Sequence, residues 1–178
     1  MNKYIAFLRR INISGKNKIA MSDLKKEFEE MKFSEVATYL NSGNVLFLSD
    51  NDNDVEIKEQ IESMLDKKFG LKIPIYIIRL DCLKDILTHA PQWWENEDKD
   101  QYHNLIFVIS SDTADDICKM VGEPTKDLEE IHVYKNVIFW TFDRIAYYKC
   151  SWWKKTASAG IAEKLTIRTA NTVRKMCK

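Results

Sequence analysis

Four polar residues, Asn41-Ser42-Gly43-Asn44, join two short apolar runs at residues 36–40 and 45–48. A link that short allows only an antiparallel hairpin, and Asn and Gly tolerate the left-handed backbone that its turn demands. The hairpin lies between two stretches of helical period. Upstream, Met21, Leu24, Phe28 and Met31 recur at helical spacing, with Ser22 as the expected N-cap. Downstream, Asp54 is expected to cap a second helix with Ile57, Ile61, Met64, Leu65 and Phe69 on one stripe, ended by Gly70. Strands flank this set. Residues 4–11 are mostly apolar on both faces, as a central strand requires. Residues 73–79 form the last strand, and Pro74 near its start predicts an edge position because proline donates no ladder bond.

The order over residues 3–79 is therefore βαββαβ, the ferredoxin-like pattern, whose sheet is antiparallel with strand order 4-1-3-2. In that topology the first strand ends where the hairpin turns, and the third strand lies beside the first. The loop at residues 12–18 and the turn at 41–44 are thus expected to converge, and the connection at Gly70 to reach the same edge.

A second series follows. Residues 102–109 read as a strand and 113–121 as a helix ended by Gly122 and Pro124. Residues 131–134 and 137–142 form a hairpin around Lys135-Asn136. A helix is expected within 151–164, a short strand at 166–168 and a terminal helix at 172–176. The fold class is α+β: two tandem ferredoxin-like (βαββαβ) domains with antiparallel sheets. The expected division is 1–80, then a linking helix and acidic linker over 81–100, then 101–178.

The chain has 178 residues, 45% of them apolar, enough to bury a real core. With 27 basic and 27 acidic residues its formal charge is zero, which argues against a general nucleic-acid binder. The charge is uneven. Residues 1–20 hold five basic residues and no acid, residues 81–130 hold 13 acids against four lysines, and residues 144–178 hold nine basic residues against Glu163. A nucleic-acid partner would use these basic ends. Cys82, Cys118, Cys150 and Cys177 include no C-x-x-C pair, and no signal-peptide pattern begins the chain, so reduced thiols in the cytoplasm are expected. No apolar run approaches the ~18 residues of a membrane span, so no membrane association is expected.

Specific motifs are also legible. A strand runs into Leu8-Arg9-Arg10-Ile11-Asn12-Ile13-Ser14-Gly15-Lys16-Asn17, then into a helix led by Met21-Ser22-Asp23-Leu24. The hairpin reads Thr38-Tyr39-Leu40-Asn41-Ser42-Gly43-Asn44-Val45, and the C-terminus carries Thr166-Ile167-Arg168-Thr169-Ala170-Asn171-Thr172-Val173. On these residues the chain resembles a family of small bacterial proteins known as domain of unknown function number 1697. The resemblance covers nearly the whole chain and implies two ferredoxin-like domains, with no known activity. Three departures stand out. Arg10 occupies a position where the family usually has Gly, Ser14 one where it often has Gly, and Thr169-Ala170 replace an Asn-Trp pair. If that Trp is a ligand platform, this chain lacks it, or Trp152 and Trp153 supply one.

The candidate site is the meeting of the two turns. Gly15 can turn successive N–H groups outward as a nest for an anion, Lys16 and Lys18 add positive charge, and the first helix adds its dipole. Asn17 in place of Ser/Thr excludes a P-loop. The expected ligand-binding residues are Arg9 or Arg10, on opposite strand faces, with Asn12, Ser14, Gly15, Lys16, Asn17 and Lys18. Asn41, Ser42, Gly43 and Asn44 face them, with Ser42 and Asn44 orienting the ligand and Arg168 and Asn171 closing the cleft. A small anion such as a nucleotide or phosphorylated metabolite fits this set. The alternatives are a nucleic-acid-associated protein and an enzyme with its site at the same cleft. Phe139, Trp140 and Phe142 are expected in the core, the alternative being a base-stacking platform; Trp152-Trp153-Lys154-Lys155 could also stack against a nucleic acid. His89, His103 and His132 read as isolated, and nearby lysines make Cys150 a candidate for a lowered pKa. No cofactor, metal site or nucleophile–base pair is expected.

Overall fold

The computed structural model describes all residues, Met1–Lys178, as two compact units, Met1–Lys84 and Asp85–Lys178. The division falls in a helix, so residues 95–100 belong to the second unit.

In the first unit, β1 (Asn2–Leu8), β2 (Ser34–Tyr39), β3 (Asn44–Ser49) and β4 (Ile75–Arg79) form one sheet in the order β2-β3-β1-β4, and every neighbouring pair is antiparallel. β1 is central, as its apolar faces require, and β4 carries the free edge anticipated from Pro74. Helices α1 (Met21–Glu30) and α2 (Asp54–Phe69) lie over the sheet. Leu24 and Phe28 of α1 and Ile57, Ile61 and Leu65 of α2 are buried against Tyr4, Ala6 and Leu8 of β1 and Phe47 of β3. Each such leucine, isoleucine or phenylalanine contributes about 1.5–3 kcal/mol on leaving water. Ile75 pairs with Leu8, so the connection at Gly70 does reach the end of β1.

Two helix starts differ from the sequence reading by one or two residues. Asn53, not Asp54, caps α2: its Oδ1 accepts from Val55 N at 3.1 Å and Glu56 N at 3.3 Å. Ala20, not Ser22, is the N-cap of α1, so no side chain caps that helix. The periodic residues locate a helix, but the cap is set by where the incoming chain turns.

The second unit repeats the topology. After α3 (Leu80–Thr88) and the short α4 (Gln92–Glu95) come β5 (Gln101–Val108), α5 (Ala114–Val121), β6 (Glu129–Tyr134), β7 (Val137–Asp143), α6 (Ser151–Thr156), β8 (Leu165–Thr169) and α7 (Ala170–Met176). The sheet order is β6-β7-β5-β8, again antiparallel. Thr113 and Asp116 close a reciprocal capping box on α5. The helix expected within 151–164 is only α6, followed by a 3-10 turn at Ala162–Lys164. No helix is long and apolar enough to cross a membrane.

Candidate functional site

The loop from β1 to α1 is built on strained backbone. Arg10, Asn12, Ser14 and Asn17 all have φ between 48° and 53°. A non-glycine residue there costs about 1–2 kcal/mol, with Asn the most tolerant. The two positions where the resembling family carries glycine, Arg10 and Ser14, are thus left-handed here without glycine's freedom. Side-chain amides hold the loop in place. Asn12 Oδ1 accepts from Ile19 N at 2.8 Å, while its Nδ2 donates to Ile19 O at 2.9 Å and to Asn41 O at 2.9 Å. Asn17 Nδ2 donates to Arg10 O at 3.0 Å.

The bond from Asn12 to Asn41 joins the two turns directly, and Leu8 N donates to Gly43 O at 2.8 Å beside it. The convergence anticipated from topology is therefore present. Its residues divide into braces and exposed groups. Asn12 spends its amide on Ile19 and on the facing turn at Asn41, and Asn17 spends its own on Arg10 O. Asn44 is wholly buried and donates to Tyr39 O at 2.8 Å and Ser42 Oγ at 3.0 Å, so it holds the turn and does not face solvent. β1 ends at Leu8, so strand alternation does not set Arg9 and Arg10 on opposite faces: Arg9 is half-buried, and Arg10 sits on a left-handed turn in solvent.

Ser14, Gly15 and Asn41 are exposed, and so are three charged groups, all cationic. Arg10, Lys16 and Lys18 stand in solvent, and none forms a salt bridge, in contrast to Lys68, which bridges Glu27 and Glu30. An open groove of about 480 Å³ runs between the loop and Asn41, walled by Gly15, Lys18, Ile19 and Met21. It ends at the uncapped N-terminus of α1, where backbone N–H groups carry partial positive charge.

Arg168 and Asn171 belong to the second unit. Arg168 is buried in β8, with Nη1 donating to Thr166 Oγ1 and Ile167 O, both at 3.0 Å, and burial pulls its pKa down to about 10. Asn171 is exposed and lines a different pocket, with Tyr102, His103, Arg144 and Arg174.

The remaining candidates resolve as follows. Phe139, Trp140 and Phe142 are core residues. Trp152 is buried, its Nε1 donating to Gly122 O at 2.8 Å, while Trp153 is exposed. Burial, then the charge of Glu129, pushes the Cys150 thiol up to about 11, the opposite of the expected lowering; the lysines nearby in sequence do not offset desolvation. His89 is not isolated: its Nδ1 lies 3.8 Å from Asp85 Oδ1 and its ring stacks on Tyr134 at 4.2 Å. The Asp85–His89 spacing of four, with His89 just past the end of α3, was the available signal.

His103 gives a testable pH dependence. Burial first, then the positive Arg174, lowers its pKa, with Asp98 opposing. The unfolded chain takes up this proton near pH 6.5, the folded chain only at lower pH. Between those values the unfolded state binds more protons, so stability falls as pH drops through the window. His103→Gln is expected to flatten the fall in melting temperature as pH drops below about 6.5, relative to wild type; an unchanged slope would show that His103 does not titrate differently on folding.

Together the paired sheets and braced loop describe a two-domain α+β protein of tandem ferredoxin-like units. The chain belongs to the family described as Protein of unknown function (DUF1697), whose model matches residues 1–139. That match includes both N-terminal motifs and stops before the signature at 166–173. The conserved bacterial protein SP0830 from Streptococcus pneumoniae has a similar structure, with a TM-score of 0.86 at 25% identity, covering 99% of this chain and 97% of that one. No curated protein matches the sequence.

Proposed function

We propose that the protein binds a small anionic ligand, a nucleotide or phosphorylated metabolite, in the groove where the 12–18 loop meets the 41–44 turn. One observation carries this reading: Lys18 lines a groove that ends at an uncapped helix N-terminus, and Arg10 and Lys16 stand in solvent on the same loop, none of the three in a salt bridge. Charge, N–H groups and concavity favour the same ligand chemistry. The strained, braced loop supports it further, because strain of this kind collects where a backbone is held ready for a ligand. Arg10 and Lys18 would meet the anion, and Gly15 and Lys16 would shape its cradle. None of the four cysteines is in a disulfide, which fits a reducing cytoplasm as the place of work.

A second reading rests on a patch in the other unit. Tyr147, Tyr148 and Trp153 are exposed, Tyr147 packs on Trp153 at 4.8 Å, and Lys149 lies over Tyr148 at 5.7 Å. Aromatics interleaved with lysines suit single-stranded nucleic acid.

A thermal-shift screen separates the two. A ligand at a hundred times its Kd stabilises the native state by about 2.7 kcal/mol. Nucleoside phosphates or sugar phosphates are expected to raise the melting temperature of wild type, and of Lys16→Ala/Lys18→Ala much less. Asn44→Ala is unsuitable as a control because it dismantles the turn. An equal shift in both proteins removes the groove as the site. A shift only with short RNA, lost at high salt, transfers the reading to the aromatic patch.

A further inference from the structure

The second unit holds a pocket of about 390 Å³ between residues 96–103, the end of β7 and the start of α7. Two arginines line it, and neither forms a salt bridge. Arg144 stacks over the Tyr102 ring at 5.3 Å and donates from Nη1 to Lys99 O at 3.3 Å. Arg174 stacks over the Trp94 ring at 4.8 Å and donates from Nη2 to Trp94 O at 3.0 Å. Trp94 is itself locked, with Nε1 donating to Asn104 O at 2.7 Å. A guanidinium carries five N–H donors, and each of these has one assigned to a backbone carbonyl. Stacking fixes each plane and leaves its edge to bind, the arrangement that suits an oxyanion.

The same walls present acceptors. Asn96 Oδ1 accepts from Asp98 N at 3.2 Å, which identifies it as the oxygen, and it meets His103 Nε2 at 2.9 Å. Nε2 therefore carries the proton of the neutral ring, and Nδ1 is an acceptor. His103 Nδ1 and Gln101 Oε1 are both buried without a hydrogen-bond partner. Buried acceptors of this kind call for a donor. Glu97 and Asp98 at the pocket wall add further acceptors.

We propose that this pocket binds a phosphomonoester of a polyhydroxylated compound, with its phosphate on Arg144 and Arg174 and its hydroxyls on His103, Gln101 and the acidic wall. A phosphomonoester has a second pKa near 6, so at neutral pH it brings close to two negative charges to the two arginines, and the hydroxyls of its carbon skeleton supply the donors. A carboxylate at neutral pH offers only the oxygens. The site is separate from the groove of the first unit and does not depend on the reading given to that groove.

The test is an amide and histidine-ring NMR titration of the whole chain carrying Lys16→Ala/Lys18→Ala, which removes two cations of the 12–18 loop. The probes are ribose 5-phosphate, inorganic phosphate and succinate. Saturable shifts at Tyr102, His103, Asn171 and Arg174 with ribose 5-phosphate are expected. Inorganic phosphate should bind more weakly, and succinate more weakly still. Arg144→Gln, at an exposed position, should weaken ribose 5-phosphate about tenfold or more while the melting temperature holds. Arg174→Gln should do the same, and if it unfolds, Arg144→Gln alone decides. No saturable shift at these residues overturns the proposal. So does equal binding of succinate, or an affinity that Arg144→Gln leaves unchanged.

Discussion

Gly43→Ala is expected to destabilise the first unit by about 3 kcal/mol, the sum of left-handed strain and overpacking. Gly43 has φ 80°, and a Cβ there would lie 2.7 Å from Leu8 Cβ and 2.8 Å from Ile11 Cδ1. Leu8 and Ile11 are both buried, and Leu8 Cβ is fixed to a central strand, so neither can retreat cheaply. The closeness has a purpose: Leu8 N reaches Gly43 O at 2.8 Å only because nothing stands between the turn and the strand end. Gly70→Ala is the control. Its φ is 65°, but nothing lies within 4 Å of the added carbon, so it carries strain alone, about 1 kcal/mol. Urea denaturation followed by far-UV circular dichroism should separate the two variants by about 2 kcal/mol. Equal losses would mean that contact at Gly43 is not what sets the turn. Ile11 precedes Asn12, so displacement of Ile11 should also loosen the Asn12–Asn41 link.

That turn also shows what the sequence made legible. Four residues between two apolar runs imply a hairpin, and the helical stretches on either side then determine the strand order. From the order follows the meeting of the 12–18 loop with the 41–44 turn. This reasoning works because each step is local or topological. It fails where a side chain's partner is distant. Asn12 reads as a ligand group from its neighbours, yet its amide is spent on Ile19 and Asn41. The left-handed φ of Arg10 is invisible because arginine has no preference for it. Arg174 meets Trp94 across 80 positions, so the pocket in the second unit has no sequence signature at all. Asn171 was noticed for its motif but lines that pocket, and Arg168 is buried in its own sheet. Cys150 shows a different failure: lysines near it in sequence say nothing about how deeply the thiol is buried.

Glu129→Ala is expected to cost the second unit about 3–5 kcal/mol, because each orphaned buried donor costs roughly 1–3 kcal/mol. Glu129 is only 4% exposed and forms no salt bridge, a setting in which a carboxylate persists only if hydrogen-bonded. Its Oε2 accepts from Thr125 N at 2.9 Å, Trp152 N at 3.2 Å and Ser151 Oγ at 3.3 Å, and its Oε1 from Trp153 N at 3.2 Å. Cys150 is the N-cap of α6 and makes no side-chain cap, so Glu129 supplies from β6 the acceptor that this helix start lacks. Glu129→Gln should cost less, about 1–2 kcal/mol, since one amide oxygen still accepts but the NH2 faces donors. All five tryptophans lie in residues 85–178, so tryptophan fluorescence during urea unfolding reads this unit alone. The midpoint should fall in the order wild type, Glu129→Gln, Glu129→Ala. A Glu129→Ala midpoint close to wild type would show that water replaces the carboxylate at the start of α6.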